Sequence, residues 1–416
     1  MKQITDIISE TSFGESRVGF FSGDQLIECW IEKNQSSAKI TEIHLAKVMQ
    51  IVKPINRIFY KLHNGTEVSS RCFDNFPETG TLEIITIVSE TKEDKPAHAQ
   101  RGFYLKGKFA IVVNKDHFIG LSRNIVEESE RERLDRIANE TGIKKAGVII
   151  RSAAENTPED ELRQDFEELF NLWQSIKNNN AKKQPLKIFD GFSLAKQATN
   201  LLPKSKVIKD NHSVEFNKRN GVEQLTEAYS LTFKIRNGGI LTFEKTKALT
   251  SIDIDSSKRN LNAGGLNKLS EDGLALALEL IRLRNTSGLI SIDLPRISKK
   301  DFNERFNQAL SWSSSMFRQM KVLGGTRGGV FEIICNHERT QLDESHDGLS
   351  QFIALEALRK LSQSKTNHTK LYVSNQLMEI LNINFKTKLN KVKEINNGIE
   401  ILIDNNLDND NYYLDK

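Results

Sequence analysis

Three aspartates, Asp253, Asp255 and Asp293, stand in two segments whose alternating pattern can place carboxylates side by side. Isoleucine and aspartate alternate in SIDIDSS (251–257), and SGLISIDLP (287–295) repeats the pattern around Asp293. In a strand, the isoleucines face one side and the aspartates the other, with same-face neighbours about 7 Å apart. Carboxylate oxygens suit Mg²⁺, which completes its shell with water and phosphate. Such alternation is also ordinary in half-buried strands with solvent-facing aspartates, so both interpretations stay open at this point.

The elements around these aspartates are predicted in the order strand, helix, strand. A hairpin-like strand pair (237–257) precedes a helical stretch at 268–284, and the strand at 287–295 follows it. A second helical stretch runs from Lys300 to about Gln319. This order favours a layered α/β domain, whose neighbouring strands can bring the two aspartate-bearing segments together.

The first half of the chain is predicted to be richer in strands. Two strands flank a turn at 22–24, and short β-rich runs across 38–113 indicate a small barrel or sandwich. A charged helix that stops at Gly142 follows, and Pro158 then opens a second helix. Its core-facing stripe is predicted from residues at helical spacing, namely Leu162, Phe166, Leu169, Trp173 and Ile176. The last 70 residues are predicted to form a small α+β region.

Composition bounds the class of protein. The chain has 416 residues, 38% hydrophobic and 27% charged, which excludes a wholly disordered chain and suggests several folding units. No apolar stretch reaches membrane-spanning length, the start lacks a signal-peptide pattern, and three cysteines are too few for a disulfide framework. We therefore expect a soluble cytoplasmic protein. Residues 171–220 carry ten Lys/Arg against three Asp/Glu, which suits either a polyanion or a solvated surface.

Motifs along almost the whole chain resemble those of the ribonuclease E/G family of bacterial endoribonucleases. They occur in the family's order, from an Arg-Val strand near the start, through GVIIRSAAE (147–155) and SIDIDSS, to a TRGG turn (326–329). The other matching segments are YLKGKFAIVV (104–113), IGLSR (119–123), LWQSI (172–176) and GLISIDL (288–294). Each motif is loose, but their order and spacing together are specific.

The resemblance implies a multidomain α+β and α/β fold. An RNase H-like domain would be interrupted by an OB-fold barrel and a 5′-sensor region, then followed by a DNase-I-like nuclease domain and a small α+β C-terminal domain. The implied ranges are 1–35 and 197–228 for the RNase H-like parts, 36–114 for the OB fold, 115–196 for the sensor, 229–340 for the DNase-I-like domain and 341–416 for the C-terminal domain.

By the same resemblance, Asp253 and Asp293 match the aspartates that hold one catalytic Mg²⁺ per active site. In the family, the metal activates a water that attacks the RNA phosphodiester and leaves a 5′-phosphate and a 3′-hydroxyl. Asp255 matches a catalytic position that is usually Asn, where it helps orient the attacking group. Asp there keeps an acceptor but adds a charge and loses the amide donors. Arg296 stands where an acid often follows the second aspartate.

The resemblance also implies a pocket that senses the 5′-monophosphate of the RNA. Arg151 and Ser152 match the family's Arg-Thr pair, and guanidinium and hydroxyl groups suit a terminal phosphate. Gly107 and Ile111 match positions that line this pocket. Without the resemblance, Arg151 would be interpreted as a surface arginine at a strand end.

In the implied OB-fold barrel, Phe59 and Lys95 match residues that contact RNA. Such barrels combine a basic groove with aromatic side chains on which bases stack. Taken alone, Phe59 is more typical of a barrel core. The second stacking aromatic falls near Val68 or Ser69, so RNA clamping is expected to be weakened.

The family's CPxC pair, through which two subunits share zinc, is absent from this sequence, and Cys335, His337 and His346 stand in its place. Their spacing fits no familiar zinc pattern, so we expect neither zinc nor a zinc-linked dimer. A homo-oligomer through another interface stays open. The expected partner is single-stranded RNA, from rRNA precursors or mRNA, and no membrane is involved.

The favoured function is a Mg²⁺-dependent endoribonuclease that cleaves single-stranded A/U-rich RNA in rRNA and mRNA processing and decay. The alternative is an RNA-binding protein of the same fold with little or no nuclease activity. Asp255, Arg296 and the altered barrel favour that alternative, whereas Asp253, Asp293 and Arg151 argue against it. A DNA nuclease would need the same metal centre, and only a comparison of substrates excludes it.

Overall fold

The computed structural model describes residues 3–12, 15–33, 37–91, 95–113, 117–179, 183–210, 213–236, 238–256, 261–314, 319–327, 329–342, 346–363, 370–395 and 399–415. The chain forms two compact units. The first unit consists of Met1–Ile31, Ile208–His337 and Gln341–Lys416. The second consists of Glu32–Val207 and Glu338–Thr340. The three aspartates lie in the first unit, and the residues matched to RNA recognition lie in the second.

The first unit begins with three consecutive antiparallel strands. These are β1 Asp6–Ser12, β2 Glu15–Ser22 and β3 Gln25–Lys33. The predicted turn joins β2 to β3 through Gly23, whose φ of 58° lies in the left-handed region that glycine adopts without a Cβ penalty.

A closed five-stranded barrel opens the second unit. Its strands are β4 Ile43–Val52, β5 Arg57–Lys61, β6 Glu67–Arg71, β7 Leu82–Ser89 and β8 Ala97–Arg101. The order β4-β5-β6-β8-β7 closes because β4 pairs with β5 on one side and with β7 on the other. Val48, Ile58, Tyr60 and Ile85 point inward and are buried. The expected OB-like barrel is therefore present.

A small mixed sheet with helices completes the second unit. Its elements are β9 Tyr104–Lys106, β10 Ala110–Val113, β11 Ile119–Leu121, α1 Glu128–Glu140, β12 Val148–Ile150, α2 Glu159–Asn179, β13 Leu186–Phe189 and α3 Leu194–Leu201, with 3₁₀ turns in this unit at Lys53–Ile55, Ile143–Ala146 and Ser152–Ala154. The sheet order is β11-β12-β10-β9, and β13 pairs with β4 of the barrel. The predicted stripe on α2 is buried, from Leu162 to Ile176.

The first unit resumes with β14 Lys206–Lys209, α4 Val214–Lys218 and α5 Gly221–Ala228. The strand β14 lies beside β1, so the N-terminal sheet has the order β14-β1-β2-β3. The backbone N–H of Asp210 continues this pairing by donating to the Ser9 carbonyl at 2.7 Å. The sheet therefore joins strands that are separated in sequence by most of the second unit.

A six-stranded sheet carries the three aspartates. Its strands and helices are β15 Thr232–Lys234, β16 Ile240–Lys245, β17 Leu249–Asp255, α6 Ala263–Leu283, β18 Gly288–Asp293, α7 Lys299–Ser313, β19 Met320–Gly325 and β20 Phe331–Cys335. The order is β15-β16-β17-β18-β20-β19. Of the neighbouring pairs, β17–β18 is parallel and the others are antiparallel. The predicted strand–helix–strand unit is thus formed by β17, α6 and β18.

The helix α6 begins at Ala263, earlier than the predicted start at residue 268. The first turn was not predicted because Gly264 and Gly265 are weak helix formers. The structure shows that Asn262 caps this turn, since its Oδ1 accepts the N–H of Gly265 at 2.8 Å. Further along, Gly273 lets α6 approach β17, since a Cβ there would lie 2.7 Å from Cγ2 of Ile254. The helix α7 ends at Ser313, before the predicted end near residue 319, and 315–318 lie outside the described residues.

The C-terminal region contains helices and a three-stranded sheet, which agrees with the predicted small α+β region. Its elements are α8 His346–Gln363, β21 Lys370–Val373, α9 Asn375–Ile383, α10 Lys386–Ile395, β22 Glu400–Ile403 and β23 Tyr412–Asp415. The sheet order is β22-β21-β23. Across the described ranges, every helix is too short or too polar to cross a membrane.

A buried ion network ties the N-terminal sheet to α8. Arg17 contacts Glu10 at 2.6 Å and Glu356 at 2.9 Å. Arg359 contacts Glu15 at 2.6 Å and also pairs with Glu356. Burial acts to raise the pKa of Glu10, but the charges of Arg17 and Arg359 outweigh it and hold that pKa below its usual value.

Candidate active site and RNA-contacting residues

The structure brings the three predicted aspartates together at one end of the parallel strand pair. Asp253 on β17 is the direct register partner of Asp293 on β18, and Asp255 follows on the same face of β17. All three are exposed. Ile252 and Ile292 point to the opposite face, where they are buried beneath α6 and α7. The helices thus cover one face of the sheet and leave the carboxylates on the other.

The neighbouring carboxylates affect the ionisation of Asp253. Partial burial raises the pKa of Asp253, and the charges of Asp293 and Asp255 raise it further. The backbone N–H of Ile254 acts in the opposite direction. Because like charges at this spacing repel, a bound cation would relieve the repulsion. The donor set therefore fits a hard divalent cation.

Two glutamates on the same sheet face were missed at the level of sequence. Glu244 is the register partner of Ser251, and Glu332 is the partner of Ser291. These two serines each stand two residues before an aspartate of the site, on the same face of their strand. Glu244 also raises the pKa of Asp253. The alternation in ILTFEK (240–245) and FEIIC (331–335) would have placed both glutamates on the polar face.

A metal at this site would have at most two carboxylate ligands among the described residues. Among the described residues, no group of three or more His, Cys, Asp or Glu side chains is arranged to hold a metal ion. Mg²⁺ accepts one or two carboxylates because water and substrate phosphate fill its other positions. Of the residues that replace CPxC, Cys335 is buried in the sheet core, and Nδ1 of His337 lies 3.4 Å from Oγ of Ser287. The side chain of His346 lies outside the described part.

The residues matched to the 5′ sensor also lie together, within the second unit. Arg151 follows β12, and its Nη1 donates to the carbonyl oxygens of Gly107 at 2.7 Å and Lys108 at 2.6 Å. Gly107 is tightly enclosed, because a Cβ there would lie 2.7 Å from Leu169. Ile111 is half-buried on β10.

Ser152 is exposed at the start of a 3₁₀ turn directly after Arg151. Its hydroxyl makes no hydrogen bond within the described residues that would hold it away from solvent. The four matched residues are thus placed around the β9–β10 turn and the end of β12.

On the barrel, Phe59 is half-buried and lies outside the buried core cluster. Its register partner on β6 is Ser69, whose Oγ accepts a hydrogen bond from Arg57 at 2.8 Å, and His98 lies next along that row. The more typical interpretation of Phe59 as a core residue is therefore wrong. Lys95 is exposed just before β8.

The expected gap in the stacking surface is visible in the same barrel. Val68 and Ser69 are both buried, and neither is aromatic. The barrel therefore has no second aromatic ring at that position. The outer surface instead offers Phe59 beside the cations Arg57 and Arg71.

Comparisons with known proteins support the family. Residues 104–209 and 193–338 match the ribonuclease E/G family. Ribonuclease G of Haemophilus influenzae is 24% identical over 396 residues, which is 81% of this chain and 80% of that protein. Ribonuclease G of Escherichia coli (strain K12) is 21% identical over 410 residues, 80% of this chain and 82% of that protein. Ribonuclease E of Buchnera aphidicola is 24% identical over 343 residues, 69% of this chain and 35% of that protein.

These matches identify the protein family of the chain. The chain belongs to the ribonuclease E/G family, as its motifs predicted. The expected class of enzyme, an endoribonuclease that hydrolyses phosphodiester bonds, is confirmed with it.

Proposed function

We propose that the chain is a Mg²⁺-dependent endoribonuclease that cleaves single-stranded A/U-rich RNA, leaving 5′-phosphate and 3′-hydroxyl ends, in the processing and decay of rRNA precursors and mRNA. The observation that carries this proposal is the register pairing of Asp253 with Asp293 at the ends of two parallel strands. That pairing puts two hard oxygen ligands on an exposed surface that a nucleic acid can reach.

In the proposed site, Asp253 and Asp293 hold one Mg²⁺, and Asp255 lies beside them to orient the attacking group. When bound, the metal supplies Lewis-acid activation of water and neutralises charge on the phosphate. The chain's own contribution is positioning: β17 and β18 fix the two carboxylates in register, and the buried isoleucines on the opposite face anchor both strands. Glu244 and Glu332 add negative charge that favours a cation at this edge.

RNA recognition in this proposal belongs to the second unit. Phe59 offers a partly exposed ring for base stacking, and Lys95 offers a cation for the backbone. Arg151, Ser152, Gly107 and Ile111 form the proposed 5′-monophosphate pocket.

The finer assignments follow the same family membership. The ranges 1–35 and 197–228 are proposed as an RNase H-like domain and 229–340 as a DNase-I-like domain, with 115–196 as the sensor. The protein is proposed to act in the cytoplasm, without zinc and without a zinc-linked dimer.

The test is a cleavage assay on a labelled A/U-rich RNA of about 13 nucleotides, with Mg²⁺ or with EDTA. We expect cleavage only with Mg²⁺, and a loss of at least 100-fold in Asp253→Asn and Asp293→Asn, since each removes a proposed ligand. Asp24→Asn in the exposed β2–β3 turn is the matched control and should cleave like the wild type.

Two outcomes would contradict the proposal. Tight RNA binding without cleavage, unchanged in Asp253→Asn, would mean that this chain keeps the fold as an RNA-binding device. Equal cleavage of a DNA strand of the same sequence would contradict the assignment of RNA as substrate.

A further inference from the structure

We propose that Lys106 is a further side chain of the pocket that contacts the 5′-terminal phosphate of the RNA, on a backbone that Arg151 helps to hold in place. This inference rests on the proposed function, because it assigns roles within the proposed 5′-phosphate pocket. The resemblance to the family predicted Arg151 and Ser152 as residues of this pocket, but it did not predict Lys106.

The first step is that Nη1 of Arg151 and one donor of its Nη2 are already engaged with backbone carbonyls. Besides the carbonyls of Gly107 and Lys108, Nη1 donates to the carbonyl of Asn200, and Nη2 donates to that of Leu201 at 3.2 Å. Asn200 and Leu201 lie in the last turn of α3, where carbonyls lack helical partners. Arg151 therefore ties the end of α3 to the β9–β10 turn, and its Nη1 could reach a phosphate only by giving up these bonds.

The second step is that Lys106 shares a sheet face with the predicted pocket residues. Lys106 is the register partner of Ile111 on β10, and Ile111 is the partner of Ile149 on β12. Arg151 follows Ile149 by two positions, which returns it to the same side of the strand. The opposite face is buried in the core through Leu105, Val112 and Val148.

The third step concerns the charge of Lys106. Among the described residues its ammonium makes no hydrogen bond or salt bridge. Three charged groups face it, of which Arg151 and Arg339 repel its charge and Glu338 attracts it. Burial, together with the two arginines, lowers the pKa of Lys106 to about 8. A half-buried ammonium among other cations is stabilised by an anion, and a terminal phosphate carries nearly two negative charges at neutral pH.

This arrangement gives a pH dependence with a definite sign. Below pH 8, Lys106 is protonated and can donate to the phosphate, whereas above it the free protein loses that charge. A 5′-hydroxyl end offers no anion, so its binding should not follow Lys106. The preference for a 5′-monophosphate should therefore fall as the pH rises from 7 to 9.

The experiment measures binding of two fluorescent RNA oligonucleotides that differ only in a 5′-monophosphate or a 5′-hydroxyl, in EDTA, from pH 6.5 to 9.5. We expect Lys106→Gln to lose roughly tenfold or more of the monophosphate preference, the usual size of a charge-assisted hydrogen bond. Lys106→Arg should keep the preference and lose its decline above pH 8. Lys145→Gln, at an exposed lysine of the 3₁₀ turn Ile143–Ala146, is the matched control and should behave like the wild type.

The outcomes separate this inference from the function on which it rests. If Lys106→Gln keeps the preference within twofold while Lys106→Arg shows the wild-type pH profile, the contact does not belong to Lys106. A wild-type protein without any monophosphate preference also overturns it, even when Mg²⁺-dependent cleavage of 5′-hydroxyl RNA proceeds and upholds the nuclease.

Discussion

Asp255 adds a third carboxylate beside the paired aspartates, and its charge helps to raise the pKa of Asp253. We expect Asp255→Asn to raise the Mg²⁺ concentration for half-maximal cleavage about three- to tenfold, because it removes one negative charge about 7 Å along the strand from the proposed ligand Asp253. A Mg²⁺ titration of the cleavage rate measures this shift.

Asp24→Asn removes the same charge at a distant exposed turn and should leave the Mg²⁺ midpoint unchanged. An unchanged midpoint in Asp255→Asn as well would show that this carboxylate does not act on the metal. The charge at position 255 would then matter only for the approach of the phosphate.

The residues of the site were predictable to different degrees. The aspartates follow from alternation within a strand, and parallel neighbours then bring Asp253 and Asp293 into register. The environment of Lys106 does not follow from local pattern, because Arg151 and Glu338 lie far from it in sequence and reach it only through the fold. Phe59 illustrates the same limit, since its outward direction depends on the barrel register.

At the scale of elements, the contact between α6 and β17 positions the strand that carries Asp253 and Asp255. We expect Gly273→Val to lower the free energy of unfolding by about 1–3 kcal/mol, because its Cβ would overlap Ile254, which lies between Asp253 and Asp255. Cleavage should fall more than the lost stability explains, since the strand must shift. Urea unfolding and the cleavage rate of the folded fraction measure both effects.

Gly264→Ala is the control within the same helix, because a Cβ there would make only an ordinary van der Waals contact, with Oδ1 of Asn262 at 3.6 Å. It should be neutral or stabilising by up to about 1 kcal/mol, the helix propensity gained over glycine. If Gly273→Val is equally harmless, the close approach of α6 does not position β17.

The strand–helix–strand order of this region was predictable because each element has its own hydrophobic period. The boundaries of the elements were less predictable. The first turn of α6 depends on the cap at Asn262, whose stabilising effect exceeds the low helix propensity of two glycines. The barrel could be expected as short strands, but its closure depends on the pairing of β4 with β7.

At the scale of the whole molecule, the buried ion network joins residues 339 positions apart, Arg17 and Glu356. Arg17→Met should lower the free energy of unfolding by about 3–5 kcal/mol at pH 7, because it leaves Glu10 and Glu356 buried with one cation fewer. Denaturant unfolding of the wild type and the variant measures this difference.

The same network predicts that the free energy of unfolding decreases at acidic pH. Because the pKa of Glu10 is held below its usual value of 4.5, its ionised form adds stability above that pH, which is lost as the pH falls through the lower folded value. Arg17→Met should shrink this acid-dependent part. A loss below 1 kcal/mol at pH 7, with an unchanged acid limb, would show that the network is not a source of stability.

The order of the two units along the chain has a consequence for how the protein is made. The N-terminal sheet needs β14, which stands at the end of the main segment of the second unit, Glu32–Val207. On the ribosome, that segment leaves the exit tunnel and can fold before the strands β17 and β18 have emerged. The barrel can therefore be complete before Asp253 has been translated, so the two units need not fold at the same time.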